Sequence, residues 1–312
     1  MNQDSAPNLI LVKTALDKLF DEATIEEAVT GKATALDTDV FTQDTATNAA
    51  VVSSVIGGGG YFQDTIDDVA MDNEANIFAA SPKTSLVYQF KKDLPIARTF
   101  MADQQQSAVS KAVRQQAKTY AASRDRKAFA VYANGFTTQQ TIDNVTLFSA
   151  SHVNENGDTV SNTFTGALTD SNLNLQIAGT NGLRVQLSQT GVIIGYEPKW
   201  LLTPSALHQT GMVIAKSVLR ASTGNNDLNY WSEMYPGMKV VYSPFLDATS
   251  TTAYFVGSTT HGVSRFEREA FFTELIDWKF SQNDQYKYKM RAREVVDSIE
   301  YSGLTGSTGT TS

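Results

Sequence analysis

Two periodicities organise this chain. Late in the sequence, Tyr286, Tyr288, Met290 and Ala292 alternate with Lys287, Lys289, Arg291 and Arg293. A period of two places four basic groups on one face of a strand and the apolar set on the other. Earlier, Asp103–Ala133 has helical spacing, with Val109, Val113, Ala117, Tyr120, Ala128 and Val131 in one apolar stripe. Asp103 with Gln106 resembles a capping box, and Gly135 follows the helix end. At 1.5 Å per residue this helix would be on the order of 45 Å long. Lys111, Arg114 and Lys118 recur at i, i+3 and i+7 on a single face of it.

Weaker patterns fill the rest. Leu9, Val12, Leu16, Leu19 and Phe20 predict a helix over Leu9–Thr30, packed on its own domain or docked on a neighbour. Ala33–Ile56 has few large side chains and reads as extended, partly mobile chain. Gly57–Gly60 lacks the Lys-Ser/Thr of a phosphate loop and reads as a hinge or a backbone crossover. In Tyr61–Met101, Leu86, Tyr88 and Phe90 alternate with Val87, Gln89 and Lys91, and Ser81-Pro82-Lys83 signals a turn. We expect two long strands joined near Asn76–Lys83. A lone hairpin is marginal in water, so its apolar side chains call for a partner surface.

The stretch 169–269 reads as a compact α+β region. It starts with a helix over Thr169–Gln189, weakened by Gly179 and Gly182, and a strand over Val192–Leu202. Thr203-Pro204 then opens a helix to about Ala221. Strands follow at Met238–Leu246 and Thr252–Gly257. The Ser/Thr/Gly-rich Ser302–Ser312 is expected to fray.

The chain has 312 residues, 41% of them hydrophobic and 19% charged, as in an ordinary globular protein. It has no cysteine, which excludes disulfides and thiolate metal sites. No signal peptide and no apolar run of membrane-spanning length is apparent, so a soluble protein is expected. A net charge of −8 argues against a role in reading nucleic acid. The charge is uneven. Residues 1–80 carry 14 acidic against 3 basic side chains, whereas residues 103–135 carry 6 basic against 2 acidic. The plain reading is solvated faces. The sharper one lays the acidic arm of one copy on the basic helix of another.

No catalytic constellation emerges. His152, His208 and His261 lack metal-ligand spacing, and His152 is expected in a surface turn. No nucleophile motif has a companion base. Asp37/Asp39 and Asp67/Asp68 read as solvated charge. Asn154–Asp158 lacks the spacing of a calcium loop, and Asn156-Gly157 reads as a tight turn.

Several segments, in order, resemble the major capsid proteins of tailed bacteriophages with the Hong Kong 97-type fold, over roughly residues 60–303. They are DLPIARTFMADQQ (Asp93–Gln105), RDRKAFAVYANGFTT (Arg124–Thr138), LFSASHVNENGDTVSN (Leu147–Asn162), GVIIGYEPKWLLTPSAL (Gly191–Leu207), NNDLNYW (Asn225–Trp231), MKVVYSPFLD (Met238–Asp247) and TELIDWKFSQNDQYKYKMRARE (Thr273–Glu294).

The resemblance implies an α+β fold with an N-arm at 1–56 and an extended E-loop hairpin at 57–95. A P-domain at 96–165 would contain the spine helix at 103–133. An A-domain would occupy 166–269, the chain would return to the P-domain at 270–302, and 303–312 would be a flexible tail. It implies hexamers and pentamers of an icosahedral shell around double-stranded DNA, assembled in the bacterial cytoplasm and placed in the virion. The short arm implies a separate scaffolding protein or none. A portal protein and a decoration protein are further partners, and DNA would be touched weakly. No cofactor, metal, membrane or catalytic residue is expected. Some relatives crosslink Lys to Asn; here Lys83, Lys91, Lys92 and Asn283 occupy the comparable regions, and nothing in the sequence shows that they react.

The expected interface joins Tyr61, Phe62, Leu86, Tyr88 and Phe90 to a basic platform. That platform combines Lys111, Arg114 and Lys118 with Lys287, Lys289, Arg291 and Arg293. An exposed ion pair contributes only about 0–1 kcal/mol. Apolar burial, at roughly 25 cal/mol per Å², must supply most of the affinity. The rival readings are an encapsulin-type nanocompartment shell and, from another class, a hydrolase built on the α+β region.

Overall fold

The computed structural model describes residues 6–25, 31–54, 56–57, 78–79, 82–99, 106–218, 228–280, 283 and 285–310. Helix α1 (Ala6–Ile25) packs on the long helix α2 (Gln106–Ala133). With 28 residues, α2 is about 42 Å long. Its expected stripe is buried except at Tyr120, which is half-buried: Val113 and Ala117 are fully enclosed, and Val109, Ala128 and Val131 nearly so. Asp103 of the expected capping box lies outside the described residues.

Helix α2 lies on a four-stranded sheet built around a long hairpin. Strands β13 (Val263–Ile276) and β14 (Gln285–Ser298) are antiparallel, 14 residues each, and joined through a 3-10 turn at Trp278–Phe280. Each would extend about 46 Å, matching α2. Strand β6 (Tyr88–Ala97) pairs with β14 on one side, and β1 (Thr42–Thr45) pairs in parallel with β13 on the other. The period-two pattern in β14 holds. Tyr286, Tyr288, Met290 and Ala292 face α1 and α2 and are buried, while Lys287, Lys289, Arg291 and Arg293 point to the opposite face.

A second sheet has the order β11 (Lys239–Tyr242), β10 (Trp200–Thr203), β12 (Tyr254–Gly257), β15 (Leu304–Ser307) and β9 (Thr163–Phe164). Every residue of β10, β12 and β15 is buried. One face packs on Phe41, Phe129, Tyr132 and Phe148. The other packs on α3 (Asp170–Ala178), α4 (His208–Lys216) and α5 (Tyr230–Met234), through Leu173, Ile177, Ala215 and Trp231. Strands covered on both faces show apolar runs instead of alternation. At Gly257 a Cβ would come within 2.1 Å of the Trp200 ring, so glycine lets the indole lie across the strand.

Several expectations are corrected here. The tail does not fray at 304–307. It forms β15, inside the sheet, and its small residues answer to close packing, as at Gly306 against Phe148. The borders expected at 166 and 269 cut this sheet, because β9 and β15 lie outside them. Ala33–Ile56 is not loose either. Ala33, Ala35, Val40 and Phe41 are core residues, and Tyr132 Oη donates to the Val40 carbonyl at 2.8 Å.

Local elements are shorter than expected. Helix α3 stops at Ala178, where Gly179 turns to an extended backbone (ψ 173°) while its N–H still donates to the Leu175 carbonyl. Thr203 ends β10 instead of capping a helix, and after Pro204 a 3-10 turn leads into α4. The strand expected from Val192 starts only at Trp200, after Gly195 at φ +73° and Pro198.

The projecting arm also differs. Strand β2 (Ala50–Ser53) pairs with β5 (Lys83–Leu86), and β3 (Ile56–Gly57) with β4 (Phe78–Ala79). The two ladders differ in register by one residue and form one antiparallel arm. Tyr88–Ala97, expected within this arm, belongs to the body as β6.

Candidate intersubunit interface

The acidic N-terminal helix rests on its own chain. Phe20 of α1 stacks on Phe271 at 4.4 Å, and Leu16 and Ala23 are buried beside α2. Asp17 accepts hydrogen bonds from Lys13 Nζ at 2.6 Å, Thr273 Oγ1 at 2.6 Å and Tyr288 Oη at 2.7 Å. Burial pushes this carboxyl up, but the three donors outweigh it and hold it below the usual carboxylate range. Of the two homes foreseen for this helix, the structure shows the one within its own chain.

The basic side chains do not form one platform. Lys111 is exposed, and Arg114 and Lys118 are half-buried, on the side of α2 turned away from the sheet. Arg114 already lies 3.8 Å from Glu22 of α1. The β14 row lies on the opposite side of the sheet. There Lys289 is flanked in register by Glu274 and Asp93, and Arg291 bonds Glu269 through Nε at 3.1 Å and Nη2 at 2.5 Å. The sequence-predicted rows are therefore split by the helix–sheet layer and partly neutralised by carboxylates of their own chain.

The expected apolar residues also separate. Leu86 is exposed at the base of the arm. Tyr88 is half-exposed with Lys127 Nζ 4.5 Å from its ring centroid. Phe90 is half-buried and meets Tyr120 edge-on at 6.2 Å. Burial raises the Tyr120 phenol to about 12. Tyr61 and Phe62 lie outside the described residues. Together Tyr88, Phe90 and Tyr120 line a groove of about 360 Å³ between β6 and α2.

Where the arm leaves the body, Lys83 Nζ donates to Asp297 Oδ1 at 2.6 Å, to the Gln140 carbonyl at 2.6 Å and to the Ser298 carbonyl at 2.7 Å. Its three N–H bonds are used in its own chain. Asp297 also accepts from Ser85 Oγ and from Gln139 Nε2 at 2.5 Å. This anchor was illegible in the sequence, because its members come from three stretches, 83–85, 139–140 and 297–298, up to 215 positions apart. Lys91 and Lys92 are exposed on β6, and Asn283 is exposed in the turn before β14.

His152 is not a surface turn residue. It is fully buried, with Nδ1 2.7 Å from Asp143 Oδ2 and Nε2 3.2 Å from the Leu147 carbonyl, and it stacks on Tyr301 at 4.4 Å. Burial pushes the Asp143 carboxyl up. Hydrogen bonds from His152, Thr141 and the Val145 N–H outweigh this and lower it. The expected turn at Asn156-Gly157 does form, between β7 (His152–Val153) and β8 (Thr159–Val160), with Gly157 at φ +84°. A patch missed in the sequence gathers Leu175, Leu228 and Tyr230, all largely exposed around α3 and α5. Its only sequence signal was the apolar-aromatic run Leu228–Trp231.

Among the described residues no group of three or more His, Asp or Glu could hold a metal ion. No described helix is long and apolar enough to cross a membrane.

No curated protein matches the sequence. Among solved structures, a virus-like particle from Pyrococcus furiosus aligns with a TM-score of 0.53 at 8% identity, covering 94% of this chain and 97% of that one. The capsid of an empty GTA particle aligns at TM-score 0.52 and 12% identity, over 91% and 94%. The procapsid of bacteriophage JBD30 aligns at TM-score 0.51 and 15% identity, over 99% and 77%. Such low identities carry the fold alone. A family model described as phage capsid protein matches residues 80–305, which span α2, the long hairpin and nearly all of the buried sheet. On that match the chain belongs to the phage capsid protein family, and its fold is the Hong Kong 97-type fold.

Proposed function

We propose that this capsid protein is the major head subunit of a tailed phage, whose copies associate into hexamers and pentamers of an icosahedral shell around double-stranded DNA. The observation that carries the reading is the pairing of a rigid spine with a projecting arm. The spine is α2 on the β13–β14 hairpin, and the arm is the β2–β5 and β3–β4 ladder. Such an arm has little core of its own, so a neighbouring copy is its natural support. The N-arm, E-loop, P-domain and A-domain then correspond to α1 with β1, the ladder, the spine, and the buried sheet with α3–α5. Many weak contacts, repeated around each subunit, close a shell without trapping errors.

The net charge of −8 fits a container for DNA. A basic lining would hold phosphates tightly and hinder packing, whereas an acidic one lets the duplex slide. The reading assigns no catalytic step to the chain and places it in the virion, after assembly in the host cytoplasm. A scaffolding protein, a portal and a decoration protein are the further partners it leaves room for.

A second reading, a nanocompartment shell with protein cargo, draws on the likeness to the Pyrococcus furiosus particle. Purified protein should be imaged by negative-stain electron microscopy and its particles assayed for content. Closed shells formed with a portal and filled with DNA support the head subunit. Shells filled with an enzyme support the compartment, and a small oligomer with turnover would overturn both.

A further inference from the structure

The buried pair His152–Asp143 lies where three parts of the molecule meet. It belongs to the stretch 140–152, which follows α2. At the base of the arm, Lys83 Nζ donates to the Gln140 carbonyl at 2.6 Å, and Ser298 Oγ at the end of β14 donates to the same oxygen at 2.9 Å. The Ile142 N–H donates to the Ile299 carbonyl at 2.9 Å, in the crossing 299–303 that joins β14 to β15. Leu147 and Phe148 enter the core against the buried sheet. The His152 ring closes the stretch by stacking on Tyr301 of the same crossing.

Both ring nitrogens of His152 face acceptors. Nδ1 meets the Asp143 carboxylate, and Nε2 meets the Leu147 carbonyl, which also accepts from Asn162 Nδ2 at 2.8 Å. A neutral imidazole carries one ring proton and satisfies one acceptor. Its other nitrogen would aim a lone pair at an oxygen. Two hydrogen bonds therefore need two protons on the pair. The Asp143 carboxyl is held below its usual range despite burial, so both protons belong to the ring. The surroundings have the matching sign. Besides Asp143 the ring meets Tyr301, and Asp143, Glu300, Tyr196 and Asp158 all act on that phenol. Burial, followed by these groups, pushes the phenol up and keeps it neutral. None of these groups is basic. A buried charge persists only where it is paired and hydrogen-bonded.

We infer that His152 is a buried imidazolium and that with Asp143 it forms a pH-sensitive clasp, which fastens the arm base and the β14–β15 crossing to the stretch after α2. The folded chain then holds one proton more than an unfolded chain with neutral histidine. Stability falls with rising pH wherever the folded state binds more protons. The clasp is closed at neutral pH and opens on the alkaline side, where Nε2 loses its proton and turns a lone pair toward the Leu147 carbonyl. The inference goes beyond the shell reading and does not rest on it, since every contact lies within one chain.

The full chain has three histidines, so ring-nitrogen NMR of protein labelled with 15N-histidine reads each of them. The Val263 N–H donates to His261 Nδ1 at 3.3 Å, which leaves that ring one proton, and burial lowers both His261 and His208. At about pH 7.5 the expected result is one ring with both nitrogens protonated. That signal should persist in His208→Gln and vanish in Asp143→Asn, whose amide lets the ring stay neutral. No such ring, or one that survives Asp143→Asn, overturns the inference. Should Asp143→Asn not fold, loss of the signal in His208→Gln overturns it instead. Amide exchange at about pH 7 and about pH 9, divided by the intrinsic rates, reads the opening. Residues 84–86 and 143–153 should lose protection about tenfold at the higher pH, as one unmade buried hydrogen bond implies, with β10 and β12 unchanged. The loss should be absent in Asp143→Asn. Equal protection at both pH values, or a loss of the same size in Asp143→Asn, overturns the clasp.

Discussion

The two sheets use the same chemistry for different ends. The five-stranded sheet is covered on both faces, and its three central strands are entirely buried. The four-stranded sheet is covered by α1 and α2 on one face, and on the other only at one end, where Ala46, Val51 and Val87 pack with Phe266 and Val295. Its other face carries Lys287, Lys289 and Arg291 beside the half-exposed Phe272. Burial on both faces makes a sheet sufficient to itself. A long sheet with one face bare over much of its length, an open β6 edge and a projecting arm leaves contacts to be made by another copy. Subunit stability should therefore reside in the first sheet and assembly in the second.

The sharpest break of this comparison is Trp200→Ala against Phe272→Ala. Trp200 is fully buried and packs edge-on to Tyr132 at 5.8 Å. Its loss should destabilise the subunit by about 3–5 kcal/mol. Phe272→Ala should stay within about 0.5 kcal/mol in the same denaturant titration while reducing shell yield. Equal stability losses would erase the distinction.

Next in size is Lys83→Met. It removes three hydrogen bonds and leaves Asp297 short of a partner, at a cost of about 1–3 kcal/mol. Amide hydrogen exchange should quicken at Thr84–Val87 and stay unchanged in β10 and β12. Unchanged exchange at the arm base would show that Lys83 does not anchor it.

A smaller effect depends on pH. The folded Asp143 carboxyl is held below its unfolded value of about 3.9. The stability it contributes is present above that value and disappears as pH falls through the lower, folded one. Wild type should melt above Asp143→Asn at neutral pH, and the gap should close only below about pH 3.9. A gap independent of pH would remove the charged carboxylate from the explanation.

The least effect on the subunit is expected from Arg114→Glu with Lys118→Glu. The pair Arg114–Glu22 is half-exposed at 3.8 Å, so stability should change by less than about 1 kcal/mol. A basic platform at this row would cost the double variant most of its shells. Near wild-type shell yield, read by sedimentation, would remove this row from the interface.

The sequence was most legible where one face of an element meets solvent. The stripe on α2 and the alternation in β14 each have a wet side, so polarity reports the period. The long helix and the closing strand came from such segments, whereas the α+β class and the family resemblance also drew on 169–269, which holds buried strands. The Asn156-Gly157 turn was legible for a local reason, since Gly157 adopts a positive φ.

What tertiary structure alone decided concerns elements without a wet side, and partners far apart in the chain. Leu304–Ser307 looked like a frayed tail because small residues carry no periodic signal. They are central to a sheet because Phe148 and Trp200 leave room for nothing larger beside Gly306 and Gly257. Likewise, no spacing rule joins Lys83 to Asp297 or His152 to Tyr301. Whether two basic rows make one platform depends on which side of the helix–sheet layer each one faces. Periodicity assigns a residue to a face of its own element, and only packing determines what that face meets.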